Sequence, residues 1–344
     1  MRLALSVGYW GMGVDADRQL AMATEAERLG FDSVWAAEAY GSDAATVLAW
    51  LAAQTSTIGL GSAIFQIPGR SPALTAMTAA TLDRLSGGRF RLGLGVSGPQ
   101  VAEGWHGQPY ARPLERTRDY VAVVRKALAR ERVAHQGATM ELPLPGGEGK
   151  ALKLTVNPVQ RPLPIYLAAM GPKNLALAGE IADGCIGFLF DPAHAGDLRA
   201  ALQEGAARGG RDLDGFDLAV TQQVRVDDDL DAARDAMRPM LALYVGGMGS
   251  RRRNFYNRVM RRYGFDDVAA TVQELYLDGR ADRAAAALPP ELIDAVTVCG
   301  PPGRVRERLD ELREAGVTTL IAGPMSYDTR DALAQLDLLA KAAG

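Results

Sequence analysis

Cysteine, histidine and aromatic residues are what this sequence has least of: two Cys, three His and 6% Phe, Trp and Tyr in 344 residues. Cys185 and Cys299 stand far apart, each inside an apolar run. That leaves neither a disulfide framework nor a thiolate metal spacing, and a reducing compartment suits the chain. His106, His135 and His194 form no HxxxH or HExxH pattern and no carboxylate cluster accompanies them, so no metal site is expected. A GxSxG elbow is missing too, which leaves a hydrolase triad without its nucleophile. Neither sign of charge dominates: 38 basic residues face 41 acidic ones for a net charge of −3, whereas a nucleic-acid-binding chain carries a basic surplus. No apolar run reaches membrane-spanning length. The opening MRLALSVGYWGMG lacks the long apolar stretch and small-residue cleavage site of a signal peptide. It reads as a first strand, and the expected location is cytoplasmic.

What is present is a recurring order of helix, glycine, strand. ATEAERLG leads into FDSVWAAE, LALAGEIADG into CIGFLF, and ERLDELREAG into VTTLIAGP. Each helical stripe stops at a glycine (Gly30, Gly184, Gly316), where a left-handed C-terminal cap is expected. The apolar run that follows suits a parallel strand buried on both faces. The same reading gives eight strands: Arg2–Val7, Ser33–Ala36, Ile58–Ile64, Arg89–Val96, Ile165–Ala168, Cys185–Phe188, Asp217–Val226 and Thr319–Ala322. Helices are expected over Asp15–Leu29, Asp43–Gln54, Ser71–Leu85, Arg112–Arg130, Pro172–Ala182 and Ala193–Arg208. Alternating β and α with a count near eight favours a single α/β domain over 1–344, a (β/α)8 TIM barrel. An open Rossmann-like sheet is the lesser option, since Gly8–Gly13 reads GYWGMG and not GxGxxG. Two stretches interrupt the alternation. Residues 138–156 alternate apolar and polar around GGEG and predict a small hairpin before the fifth strand. Residues 229–294 predict a helical insertion between strands seven and eight, with GGMG as a hinge before a basic helix over Arg251–Arg262. That charge run reads first as a solvated or partner-facing helix, the usual case for such a run, and second as one that approaches an acidic substrate or the anionic tail of a ligand.

In such a barrel, chemistry sits at the C-terminal ends of the strands. Those ends are poor in acid–base groups; Glu38 is the one strong carboxylate candidate early in the chain, with Tyr40 close by. A mouth of small residues and amides suits an organic cofactor that brings its own reactivity. Ala169-Met170-Gly171-Pro172-Lys173 turns from the fifth strand into a helix, and a helix N-terminus plus one lysine makes a phosphate site. The same residues serve equally well as an ordinary turn with a proline at the first helical position. After the fourth strand, Ser97, Gly98 and Pro99 give way to Gln100, Glu103, Trp105 and His106.

At this point WAAEAYGSDAATVLAWLAAQT (35–55), IGLGSAIFQIPGRSPALTAMTAATLDRLSGGRFRLGLGVSGPQVAEGWHG (58–107) and GPKNLALAGEIADG (171–184) resemble the luciferase-like monooxygenase superfamily, and most closely its coenzyme F420-dependent branch. The resemblance implies a planar deazaflavin across the strand ends with its phosphate at Ala169–Lys173. It implies a non-prolyl cis peptide at Ala63–Ile64 that presses a β-branched side chain against one ring face. Ser62, Ala63, Ile64 and Gln66 then stand at the third strand, with Ser97 and Gly98 against the ring. Trp105 is a loop anchor or a pocket wall. His106 is a structural hydrogen-bonding group or a site residue. Relatives that oxidise sugar phosphates and alcohols carry Asp-His after strand two; here the residues are Glu38-Ala39-Tyr40, so alcohol oxidation is not carried over. Glu38, Tyr40 and His106 are the catalytic candidates, Glu38 serving equally well in a ladder of buried hydrogen bonds under the second loop. The implied activity is hydride transfer between coenzyme F420 and a small organic substrate, in a homodimer without nucleic-acid or membrane partners. An FMN-dependent monooxygenase and a non-catalytic flavin-binding or deazaflavin-binding protein are the alternatives.

Overall fold

The computed structural model describes residues 1–11 and 14–344; Met12 and Gly13, the end of GYWGMG, lie outside them. Eight parallel strands among the described residues close on themselves: β1 Arg2–Gly8, β2 Ser33–Ala36, β3 Gly59–Ser62, β4 Phe90–Gly95, β5 Ile165–Ala168, β6 Gly184–Phe188, β7 Asp217–Val226 and β8 Thr319–Pro324. The ring is sealed where Arg2–Leu5 of β1 pairs with Thr319–Ala322 of β8. The fold is therefore the expected (β/α)8 barrel, and helices surround it.

The period-two alternation of each strand divides its side chains. Leu5, Val34, Leu60, Leu92, Leu167 and Leu320 face outward and join the helices in the main core. Ala4, Trp35, Tyr166, Ile186, Ala219 and Ile321 form a second, smaller cluster inside the barrel. Helix ends follow the expected chemistry at Gly30 and Gly316, whose φ values of 79° and 87° only glycine adopts freely. Gly184 is different. Its helix ends at Ile181 with Ala182 extended, and Gly184 is already the first residue of β6. There it makes room: an added Cβ would stand 2.5 Å from the Tyr166 ring.

Other departures are local. The third strand stops at Ser62 and resumes as Phe65–Gln66, which pairs with Leu94–Gly95 of β4. The antiparallel hairpin pairs His135–Gln136 with Glu141–Leu142, so its turn lies at 137–140 and not at Gly146–Gly149. Residues Thr139 N and Oγ1 both donate to Asp119 there, at 2.6 and 2.7 Å, which anchors that turn to the barrel. A further short strand, Val298–Gly300, pairs with Val224–Val226 at the top of β7. Sequence reading passed over it because three residues carry no period.

Between β7 and β8 lie helices Leu230–Ala242, Phe255–Arg262, Asp266–Leu277, Ala281–Ala286 and Pro290–Val296, with a π-helical turn at Leu243–Gly247. They share a core of their own, built on Met237, Leu241, Val245, Met260, Val272 and Leu292.

Candidate active site

The bottom and middle of the barrel interior are full. The Trp35 and Tyr166 rings meet edge to face with centroids 5.2 Å apart, and an added Cβ at Gly61 would overlap the indole. Above them the inward positions shrink to Ser6, Gly8, Ala63, Gly95, Ala168 and Gly323, so the C-terminal mouth opens into a cavity of about 1360 Å³. The Ala63–Ile64 peptide is cis, as the resemblance implied. Ile64 lines the cavity and lies over Gly95, where an added Cβ would come within 2.9 Å of it.

The kink is held from behind. Ala63 N donates to Ala36 O at 2.8 Å, and Gln66 Nε2 donates to Ala39 O at 2.7 Å. The Ser62 hydroxyl donates to Gly93 O and accepts from Gly93 N, at 2.8 and 2.9 Å. Ala63, Ile64, Ser97, Gly98, Ala169, Met170, Gly171, Pro172 and Lys173 thus come together on the cavity wall. Ser62 and Gln66 do not; both are buried beneath it as supports.

At one side of the mouth, helix Pro172–Ile181 begins on Gly171 with no side-chain cap. The amides of Lys173 and Asn174 therefore face outward unused, as first-turn amides do. The basic stretch lies beside them. Arg253, Arg258 and Arg262 line the mouth, and Arg262 Nη2 donates to Met170 O at 2.5 Å. None of the three has a carboxylate within 4.0 Å among the described residues. The expectation of a solvated helix therefore fails for half of that face. Arg251, Arg252 and Arg261 lie outside the lining, Arg251 beside Asp278 at 4.0 Å and Arg261 donating to Asn257 at 2.8 Å with Asp266 at 3.9 Å. The sequence misses this because the reach of the insertion over the barrel is a long-range property. Ser97 adopts a left-handed conformation, φ 57°, which a serine tolerates only where its surroundings hold it. Pro99–Gly104 continues as a short helix, leaving Trp105 exposed on the rim.

The three catalytic candidates separate. Glu38 touches the cavity, yet both carboxylate oxygens are engaged: Oε1 accepts from Gln66 N at 3.3 Å, and Oε2 from Ala44 N at 3.1 Å and Arg70 Nη2 at 3.0 Å. Arg70 is shared with Asp43. Tyr40 stands exposed on the rim. His106 is outside the lining; its ring packs on Gly69, where a Cβ would stand 2.8 Å from Cε1, and its Nε2 is sealed without a partner among the described residues. Sequence reading overlooked an aromatic group on the cavity wall. Phe188, Tyr244 and Tyr256 pack together, with centroids 4.6 Å apart for Phe188–Tyr244 and 4.8 Å for Tyr244–Tyr256. Burial pushes the Tyr256 phenol up to about 12 and raises those of Tyr244 and Tyr9 as well. The signal was available in LYVGGMG and NFYNRVM, two aromatic-bearing segments flanking a glycine-rich turn.

Residues 5–319 match the luciferase-like monooxygenase family model. The chain belongs to the luciferase-like monooxygenase family. A Mycobacterium tuberculosis member, named provisionally as a coenzyme F420-dependent oxidoreductase, is 45% identical over 93% of this chain and 94% of its own. The 5,10-methylenetetrahydromethanopterin reductase of Archaeoglobus fulgidus is 32% identical over 90% of each chain. Among solved structures, the coenzyme F420-dependent tetrahydromethanopterin reductase of Methanopyrus kandleri superposes with a TM-score of 0.85 at 26% identity, covering 99% of this chain and 97% of that one.

This luciferase-like barrel has room for a flat ring with an anionic tail. Gly98 and Gly171 both border the cavity, and a Cβ at either would meet no atom within 4 Å, so the bare backbone is the wall. Unused amides, Lys173 and unpaired guanidinium groups stand at one side, and small residues with Ile64 form the floor.

Proposed function

We propose that this chain is a coenzyme F420-dependent oxidoreductase that moves a hydride between the deazaflavin and a small organic substrate. The observation that carries the reading is the polarity of the mouth. A chain with net charge −3 gathers Lys173, Arg253, Arg258 and Arg262 at one side of a cavity where Glu38, the sole carboxylate lining it among the described residues, is already paired. Clustered cations without counter-ions suit a ligand with several negative charges, such as the phosphate and glutamate tail of a deazaflavin.

When bound, the cofactor supplies or takes a hydride at its central ring carbon. The chain does the rest. Ala169–Lys173 would hold the phosphate on backbone amides and the lysine. Ile64 would support one ring face, while Gly95, Ser97 and Gly98 leave space for the ring edge. Glu38 is best read as a positioning group, because its carboxylate ties the second loop to Arg70 and to the strand just past the kink. Tyr244, Met248, Phe255 and Tyr256 overhang the opposite face, where they would exclude water. The arginines also favour this cofactor over FMN, whose tail ends at a single phosphate.

Titration of the purified protein with each cofactor, followed by tryptophan fluorescence, tests the reading. Coenzyme F420 should quench saturably, with an affinity that weakens as salt rises. Tight FMN binding without any response to coenzyme F420 overturns it.

A further inference from the structure

Once Glu38 is committed to Arg70 and His106 lies outside the lining, the neutral hydroxyls left in the mouth, apart from the far less acidic alcohols of Ser6, Ser97, Thr221 and Ser326, are phenols. Of these, Tyr244 is the most firmly built. It sits in the π-helical turn Leu243–Gly247, a geometry that leaves backbone carbonyls without their usual helical donors. Two buried asparagines supply them. Asn254 Nδ2 donates to Tyr244 O and Val245 O, both at 3.0 Å, and Asn257 Nδ2 donates to Val245 O at 3.1 Å and Ala269 O at 2.6 Å. Gly246 packs on Tyr276 from the other side, where an added Cβ would stand 2.5 Å from the Tyr276 Cβ. The turn therefore buries Val245 and Gly246 and presents Tyr244 to the cavity. Phe188 and Tyr256 fix its ring. The hydroxyls of Tyr244 and Tyr256 have no partner among the described residues, and neither is sealed from the cavity. Two unpartnered hydroxyls on an aromatic wall of the cavity are free to donate to an acceptor from outside the chain.

We infer that Tyr244, seconded by Tyr256, is the catalytic hydrogen-bond and proton donor to the carbonyl oxygen of a planar conjugated substrate, an enone or enal lying between the aromatic wall and the cofactor face turned away from Ile64. This inference rests on the proposed cofactor for its hydride. The donors are neutral and their setting is apolar, so the group they serve is neutral at rest and gains charge only during reaction. A buried phenol stays protonated at neutral pH, the state in which it donates. The step balances as follows. Hydride from the reduced deazaflavin forms a C–H bond at the carbon β to the carbonyl, and the π electrons move to oxygen. The Tyr244 O–H bond breaks and its proton joins that oxygen, giving an enol that tautomerises to the saturated carbonyl. The phenolate recovers its proton from water, and the cofactor is left oxidised by one hydride.

The test uses 4-(dimethylamino)cinnamaldehyde, a planar enal whose absorption moves to longer wavelength when its oxygen accepts a hydrogen bond. Wild type should shift it, with or without cofactor. Tyr244→Phe should lose most of the shift and slow single-turnover reduction of the enal about 10²-fold, with quenching by coenzyme F420 unchanged. Tyr256→Phe should lose less. No shift in wild type, or an equal shift in Tyr244→Phe, overturns the inference. If coenzyme F420 fails to bind wild type, the cofactor reading falls by itself; the wavelength shift, read without cofactor, still decides the role of Tyr244.

Discussion

The two ends of the same barrel are built on opposite terms. At the N-terminal end the inward polar groups of the described residues are paired with one another. Asp217 accepts from Tyr166 OH at 2.9 Å, Thr318 Oγ1 at 2.5 Å and Thr319 Oγ1 at 2.8 Å, and pairs with Arg2 at 2.8 Å. Arg91 pairs with Asp32 at 2.5 Å, and Trp35 Nε1 donates to Ser33 Oγ at 3.0 Å. At the C-terminal end, among the described residues, Arg253, Arg258 and Arg262 stand without carboxylate partners and the first-turn amides of helix Pro172–Ile181 without a side-chain cap, around a cavity. The titrations diverge too: the Arg91 hydrogen bond holds Asp32 below the usual carboxylate range against its burial, while burial first, and neighbouring phenols second, lift Tyr9, Tyr244 and Tyr256. A closed network gains its stability within the chain. An open one leaves that gain to a ligand, which is how a binding site differs from a core.

The comparison breaks most visibly at Asp217. Asp217→Ala leaves Arg2 and the Tyr166 hydroxyl uncompensated and should cost about 3–5 kcal/mol by urea denaturation. The folded fraction should keep its cofactor affinity; a loss of affinity at full stability would erase the division between the two ends. Gly98→Val probes the other end. Its φ of −107° and ψ of 162° suit a β-branched residue before proline, and nothing within 4 Å resists the new side chain. Stability should hold within about 0.5 kcal/mol, whereas affinity for coenzyme F420 should fall tenfold or more, a cost of about 1.4 kcal/mol in a fluorescence titration. Retained affinity would mean that the ring lies elsewhere.

The smallest effect is in pH. Glu27, below the barrel, accepts from the amides of Ser56, Thr57 and Ile58 at 2.8, 2.6 and 3.0 Å. These bonds outweigh its desolvation and hold it at about 2, against an ordinary 4.5. A depressed carboxylate adds stability above its unfolded value that is lost as pH falls through the folded one. Melting temperature should therefore drop between about pH 4.5 and pH 2, and Glu27→Gln should flatten that part of the curve. An unchanged slope in the variant would place the acid sensitivity at other carboxylates.

Much of this molecule could be read before it was seen. The eight strands showed as short apolar runs after helical stripes, since a strand buried on both faces has no polar positions to spare. The wall Ser97–Gly98 and the turn Ala169–Lys173 showed as small residues where a core would place large ones. Family resemblance located the cis link. By contrast, the sequence left His106 and Glu38 open between a site role and a structural one; His106 is packed on Gly69, and Glu38 is bound to Arg70. Arginines that appeared solvated turn onto the mouth, and Tyr244 and Tyr256 resembled ordinary residues of amphipathic helices.

By itself the sequence determined the barrel, its closure and the small-residue floor, because those depend on local periodicity and on backbone approach that only particular residue types permit. Tertiary structure alone decided which polar groups are spent and which are left over. That choice depends on distances between segments far apart in the chain, such as the 32 positions separating Glu38 from Arg70, and no local pattern encodes them.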